Sequence, residues 1–319
     1  MSRARTALRA SLVTLVVVVA ASAAVDVQAA ARTSSVTNAT DAASIGAAVA
    51  AWIHVPLYTP PPVVVVPRST VALAAEIEQL IAASGATVGV TLVELGGSQA
   101  LSLSLNGNSV FTAASTYKLA ALMMEAQSIA SGATDPNGLV CFTDDDYEDG
   151  WFADYVDGAC FTRIELASRA AKQSDNTAGH MLVRDVGGTA AIDAWAASLG
   201  ATNSAFFDPN TTTSNDLAAL WIAEAQGQLG GAAAQGWLYP LLTNTAYESA
   251  IPAGVGAGTT VVHKTGSLDL TENDAALVLG LSSGPYVLTV MTDGLDPTVG
   301  TALIASLSNA VWQFEAART

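Results

Sequence analysis

The order of secondary-structure signals predicts an α/β fold: an antiparallel sheet built from N- and C-terminal segments, flanked by helices, with an all-helical lobe between them. Three observations carry that expectation. Strand-like runs occur near both ends of residues 70–319 and are sparse in the middle, where apolar residues recur at helical spacing instead. The composition is 51% hydrophobic and 13% charged, enough apolar surface for one sizeable core or for two lobes sharing one.

Ala74, Ile77, Leu80 and Ile81 fall on one face and predict a helix over Val71–Ser84. Thr87–Leu95 and Ala100–Leu105 read as a strand pair. Helices are then predicted over Thr116–Ala130, Thr162–Gln173, Thr177–Val186, Thr189–Leu199 and Ser214–Gln228. Strand character returns at Thr259–Lys264, Ala275–Leu281 and Tyr286–Met291, with Ser282-Ser283-Gly284-Pro285 as the turn between the last two. A helix over Val299–Ala316 closes the chain, and no internal repeat is visible.

The N-terminal segment has a different character. Arg3, Arg5 and Arg9 precede an apolar run from about Leu12 to Val25 and small residues around Ala29, the layout of a secretory signal peptide over residues 1–29. The run is shorter than the roughly 20 residues of a stable span, so a secreted or extracytoplasmic protein without membrane insertion after cleavage is expected. An uncleaved anchor is the blander reading. Residues 30–69, rich in Ala, Thr and Pro and containing Pro60-Pro61-Pro62, read as a tether, with a weak helical signal near Ala42–Trp52. A formal net charge of −16 argues against nucleic acid as a partner and, through repulsion between copies, favours a monomer.

Cys141 and Cys160 are the only cysteines. In an oxidising compartment they can close a loop, stabilising by about 3 kcal/mol on the chain-entropy estimate; two free buried thiols are the alternative. The enclosed segment carries Asp144, Asp145, Asp146, Glu148, Asp149, Asp154 and Asp157. Their spacing does not fit a helix-loop-helix calcium site and reads as a solvated acidic rim.

The stretch Ala113-Ala114-Ser115-Thr116-Tyr117-Lys118 opens a helix whose apolar stripe is Leu119, Leu122, Met123 and Ala126. Ser115 and Lys118 therefore share a face one turn apart. Alone, the pair reads as a helix cap and a lysine reaching for water. Two further motifs follow in order, Ser174-Asp175-Asn176 and Lys264-Thr265-Gly266, with Thr177-Ala178, Gly187-Gly188 and Asn273-Asp274 around them. Together these residues resemble the serine penicillin-recognising enzymes, most closely the class A β-lactamase family, over essentially all of residues 70–319. The resemblance implies a β-lactamase/transpeptidase-like fold and a substrate that is a small β-lactam or a peptidoglycan peptide.

The residue types make chemical sense independently. A serine hydroxyl is a poor nucleophile until a base takes its proton, and a lysine one turn away can do so if burial and a second cation, here Lys264, keep it neutral. The resemblance implies that Ser174 relays a proton to the leaving nitrogen and that Asn176 holds a substrate amide. It also implies that Lys264, Thr265 and Ser267 face a substrate carboxylate, and that the oxyanion is bound by the backbone N–H groups of Ser115 and Ser267. Gly266 permits close backbone approach. Asp175 reads as a helix cap.

The histidines do not build a competing Ser-His-Asp site: His54 lies in the tether, His180 one turn into a helix, and His263 alternates to the opposite sheet face from Lys264. No metal-ligand spacing appears, so neither metal nor cofactor is expected. In class A enzymes a glutamate on a long loop activates the deacylating water. Here the corresponding segment, Leu199 to Thr213, is short and has no glutamate; its only carboxylate, Asp208, is either a substitute base or a turn residue before Pro209. No arginine lies on Tyr286–Met291 to hold a carboxylate. The leading expectation is a secreted serine hydrolase that opens β-lactam rings through a Ser115 acyl-enzyme. The alternatives are a D-alanyl-D-alanine peptidase or esterase-like hydrolase, and a penicillin-binding sensor that stays acylated.

Overall fold

A computed structural model describes residues 69–96, 100–148 and 150–318. The expected signal peptide and the tether up to residue 68 lie outside the described residues.

Helix α1 (Thr70–Ser84) is capped by the Ser69 hydroxyl, which accepts from the Ala72 amide at 3.1 Å, and it buries Leu73 and Ile77. Strands β1 (Thr87–Glu94) and β2 (Ser102–Leu105) pair antiparallel. The long C-terminal strands are β7 (Thr260–Leu268), β8 (Thr271–Leu279) and β9 (Tyr286–Asp293), and the five form one sheet in the order β2-β1-β9-β8-β7. The two ends of the domain thus meet along the β1–β9 ladder, from Thr87 opposite Asp293 to Glu94 opposite Tyr286.

Between them lie β3 (Phe111–Thr112), α2 (Tyr117–Ala130), β4 (Leu139–Cys141), β5 (Cys160–Thr162), α3 (Arg163–Lys172), α4 (Asn176–Asp185), α5 (Thr189–Ser198), β6 (Thr211–Thr212), α6 (Ser214–Ala225) and α7 (Gly231–Leu238). The final helix α8 (Pro297–Ala316) packs with α1 on one sheet face, around Leu73, Ile77, Leu288, Ile304 and Phe314. The helical lobe covers the other, around Leu119, Leu122, Met181, Trp221 and Leu277. Because both faces are covered, β9 is buried from Tyr286 to Thr292 and reads as a near-continuous apolar run rather than an alternation.

Three elements depart from the expected boundaries. β7 continues four residues beyond Lys264 and β8 begins at Thr271, so the two form a tight hairpin through Asp269, whose φ is 52°. Helix α6 stops at Ala225, just before Gly227 with φ 77°, and α7 was hidden by its glycines. The β3–β6 and β4–β5 ladders are too short to give a periodic signal.

Cys141 and Cys160 face each other across β4 and β5 and form a disulfide. The acidic loop between them is not simply a solvated rim. Asp146 is buried against Arg184, Asp154 accepts two 2.7 Å hydrogen bonds from Arg169, and Glu148 turns toward a cavity described below. The Arg169 guanidinium also lies 4.2 Å from the Phe152 ring centroid and 4.5 Å from that of Phe161, which fixes this loop at the edge of the lobe.

Candidate active site

Ser115 sits in a single 3₁₀ turn, Ala114–Thr116, immediately ahead of α2. The turn is held from three directions. Asn273 of β8 donates to the Thr112 and Ala113 carbonyls at 2.9 and 3.2 Å, the Thr116 hydroxyl donates to the Ala113 carbonyl at 2.6 Å, and Asn210 donates to the Ala114 carbonyl at 3.3 Å. β7 runs against the same turn. A Cβ on Gly266 would stand 2.6 Å from the Ala113 carbonyl oxygen and 3.0 Å from the Thr116 amide nitrogen, so only glycine fits.

At the second position of α2, one turn after Ser115, Lys118 is buried with its Nζ 3.1 Å from Ser115 Oγ. It also donates to the Ser174 carbonyl at 2.6 Å and to Asn176 Oδ1 at 2.5 Å. Lys264 of β7 reaches the same corner: its Nζ donates to Ser174 Oγ at 2.9 Å and to the Thr265 carbonyl at 2.9 Å. Three remote motifs therefore meet, with Ser174 Oγ between the two amines. Ser174 has φ 58°, a left-handed conformation costly for a non-glycine residue, and Asp175 follows it directly. The Asp175 carboxylate caps α4 by accepting from the Ala178 amide at 2.8 Å and accepts from Tyr155 at 2.7 Å.

Burial, then the neighbouring Lys264, drives the Lys118 pKa well below the usual lysine range, against the opposing pull of Asp175 and Glu148. Burial also lowers Lys264 to about 7, opposed by Asp274. Either amine can therefore be neutral near physiological pH, which is what a proton acceptor for a serine requires.

Two cavities open onto Ser115. One, of about 240 Å³, is lined by Ser174, Asn176, Thr265, Ser267, Glu272 and Trp151 among others. The second, of about 260 Å³, is lined by Tyr117, Glu148, Asn176, His180, Phe207 and Asn210 among others. Every expected catalytic and binding residue except Asp208 lies at or beside this corner. Asp208 is exposed and lines neither cavity; the backbone around it, with φ 73° at Phe207 and 61° at Asn210, turns Phe207 and Asn210 inward instead. Of the two expectations for Asp208, its place matches the turn residue.

Several groups were missed from sequence. Glu148 Oε1 accepts from Asn176 Nδ2 at 2.6 Å, and Oε2 lies 3.3 Å from His180 Nε2. The His180 ring packs edge-on against Phe207 with centroids 4.9 Å apart. Glu272, opposite Ser267 in the β7–β8 ladder, accepts a short hydrogen bond from its hydroxyl. Burial and then the charge of Asp296 raise its pKa, while the Ser267 bond works the other way. No spacing rule pointed to these three, because the first two come from a loop and a helix brought together by tertiary packing and the third lay in an unrecognised stretch of β8.

His263 lies on the opposite face from Lys264, as alternation requires. Its Nδ1 is 2.9 Å from Asp274 Oδ1 and its Nε2 3.2 Å from Glu248 Oε1. Among the described residues no cluster of His, Cys, Asp and Glu could hold a metal ion.

An antiparallel sheet meeting a helical lobe at a buried serine-lysine corner defines the β-lactamase/transpeptidase-like class. Residues 72–314 match the family model described as the beta-lactamase enzyme family. A β-lactamase of Amycolatopsis lactamdurans is 31% identical over 154 residues, 43% of this chain and 50% of that protein. One of Nocardia farcinica is 30% identical over 167 residues, 47% and 53% respectively, so the matched stretch spans about half the length of these curated relatives. Among solved structures, PBP-A is 27% identical with a TM-score of 0.71, covering 77% of this chain and 96% of that one. A mutant of PBP-A, in an acyl-enzyme complex with penicillin G, gives 28% and 0.70, covering 80% and 98%. A β-lactamase of Sphaerobacter thermophilus gives 26% and 0.69, covering 77% and 97%. The chain belongs to the β-lactamase enzyme family.

Proposed function

We propose that this protein is an exported serine hydrolase that opens β-lactam rings through an acyl-enzyme on Ser115. The observation that carries this reading is the 3.1 Å approach of a buried, depressed-pKa Lys118 to the Ser115 hydroxyl, with Lys264 sharing Ser174 from the other side. Neutral Lys118 takes the Ser115 proton as the oxygen attacks the lactam carbonyl. The oxyanion develops against the Ser115 and Ser267 amides, and Ser174 passes a proton to the departing nitrogen. Asn176, with its Oδ1 on Lys118 and its Nδ2 on Glu148, holds the acylamino side of the substrate. Export rests on the layout of residues 1–29; no helix among the described residues is long and apolar enough to cross a membrane.

Deacylation needs a second base. The 199–213 segment brings Asn210 to the cavity and no carboxylate, which leaves Glu148, paired with His180, as the acid facing Ser115 from that side. The same observation favours a second reading, a penicillin-reactive peptidase or sensor that releases its acyl group slowly. The purified protein mixed with a chromogenic cephalosporin, followed by absorbance and intact mass, separates the two. Steady colour release supports β-lactamase activity, whereas a stoichiometric burst with a lasting mass increase supports the slow acyl-enzyme. No adduct and no colour would overturn both.

A further inference from the structure

The end of the cleft formed by β7 and β8 carries the wrong charge for an ordinary carboxylate site. Ser267, whose hydroxyl would be free to bind a substrate carboxylate, already donates it to Glu272. Glu272 is 7% exposed yet lines the same cavity as Ser115, Thr265 and Ser267, with Thr301 of α8 beside it. Its stem packs against Gly300 of α8, where an added Cβ would meet its Cγ at 2.8 Å, and its backbone carbonyl accepts from the Thr292 hydroxyl at 2.8 Å. The charged group acting on it from the start of α8 is another acid, Asp296. The Lys264 amine also reaches this cleft, but burial lowers its pKa to about 7 and its Nζ is already directed to Ser174 and the Thr265 carbonyl.

We propose that Glu272 is a specificity-determining residue that sets this cleft against substrates bearing a carboxylate beside the scissile amide and in favour of those bearing a neutral or amine group there. The proposal rests on the acyl-enzyme reading above and deepens it. An ionised carboxylate meeting Glu272 across Ser267 faces like-charge repulsion in a poorly solvated corner and finds the nearest hydroxyl already used. An ammonium at that place gains a partner, and an ester loses nothing.

The test compares three acylating probes on the full-length protein at about pH 8: benzylpenicillin, its methyl ester and its 2-aminoethyl amide. Second-order acylation rates come from time-resolved intact mass, with the adduct mapped to Ser115. The expected order is amide at least equal to ester, and ester above free acid by about tenfold. Glu272→Gln should raise the free-acid rate by about tenfold and leave the ester within twofold. A wild-type protein that reacts faster with the acid than with the ester overturns the proposal without any variant. A Glu272→Gln protein that keeps the wild-type acid-to-ester ratio overturns it too. If no probe labels Ser115, the acyl-enzyme reading has failed and this inference with it; labelling by the ester with an unchanged ratio sinks only the inference.

Discussion

Lys118 must be neutral to accept a proton, and burial together with Lys264 pushes its pKa well down in that direction. Replacing it with alanine removes the base while leaving Ser115 in place, and acylation should slow by about two to four orders of magnitude, the usual contribution of a general base. A variant labelled by penicillin at the wild-type rate would refute that role. The sign of the pH effect follows from the depressed pKa values. Lys264 becomes an ammonium as pH falls below about 7, so the positive charge it places beside Ser174 and Lys118 grows on acidification and fades above that point. Two carboxylates separate the competing accounts of deacylation. Asp208→Asn, on an exposed turn, should leave steady-state hydrolysis of a chromogenic cephalosporin unchanged. Glu148→Gln should slow the steady state by about tenfold or more while preserving the initial burst, and loss of the burst instead would make Glu148 a binding residue.

At the scale of elements, the close approach of β7 to the nucleophile turn is the demanding contact. Gly266→Ala places a methyl group against the Ala113 carbonyl, so the strand or the turn must shift; a loss of about 1–3 kcal/mol in denaturant unfolding is expected, with acylation reduced further. The serine turn, the Ser-Asp-Asn corner and the Lys-Thr-Gly strand were legible in the sequence because each is a local run of chemically distinctive residues. The hairpin that follows Lys264 was not. Ser267, Glu272, Asn273 and Asp274 are polar because they face the cleft, tether the Ser115 turn or hold His263, and a pattern reading for strands takes such a run for a loop. Glu148 was legible only as part of an acidic run, since its pairing with Asn176 and His180 depends on Arg169 and Asp175 fixing the loop in space. Helix α7 was lost to Gly230, Gly231 and Gly236, which lower helix propensity without preventing burial of Leu238.

At the scale of the whole molecule, the ion cluster around His263 and the Cys141–Cys160 link both bear on stability. Burial opposes charge on His263, but Asp274 and Glu248 outweigh it and raise its pKa from 6.5 to about 9. A raised histidine contributes stability that is fully present below its unfolded pKa and is lost as pH climbs through the folded value. The advantage of the wild-type protein over His263→Gln in thermal unfolding should therefore be largest below about pH 6.5 and shrink toward pH 9. An advantage that grows over that window would contradict the charged-imidazole account. Reduction of Cys141–Cys160 removes a loop closure worth about 3 kcal/mol, which for a domain of this size should lower Tm by roughly 6–12 °C. Both groups lie away from Ser115, so neither change should alter the identity of the acylated residue. That identity is the most direct measurement of all. Penicillin-treated protein, digested and sequenced by mass spectrometry, should carry one acyl group on the peptide containing Ser115, abolished in Ser115→Ala. An adduct on any other residue, or none on a folded protein, would contradict the account.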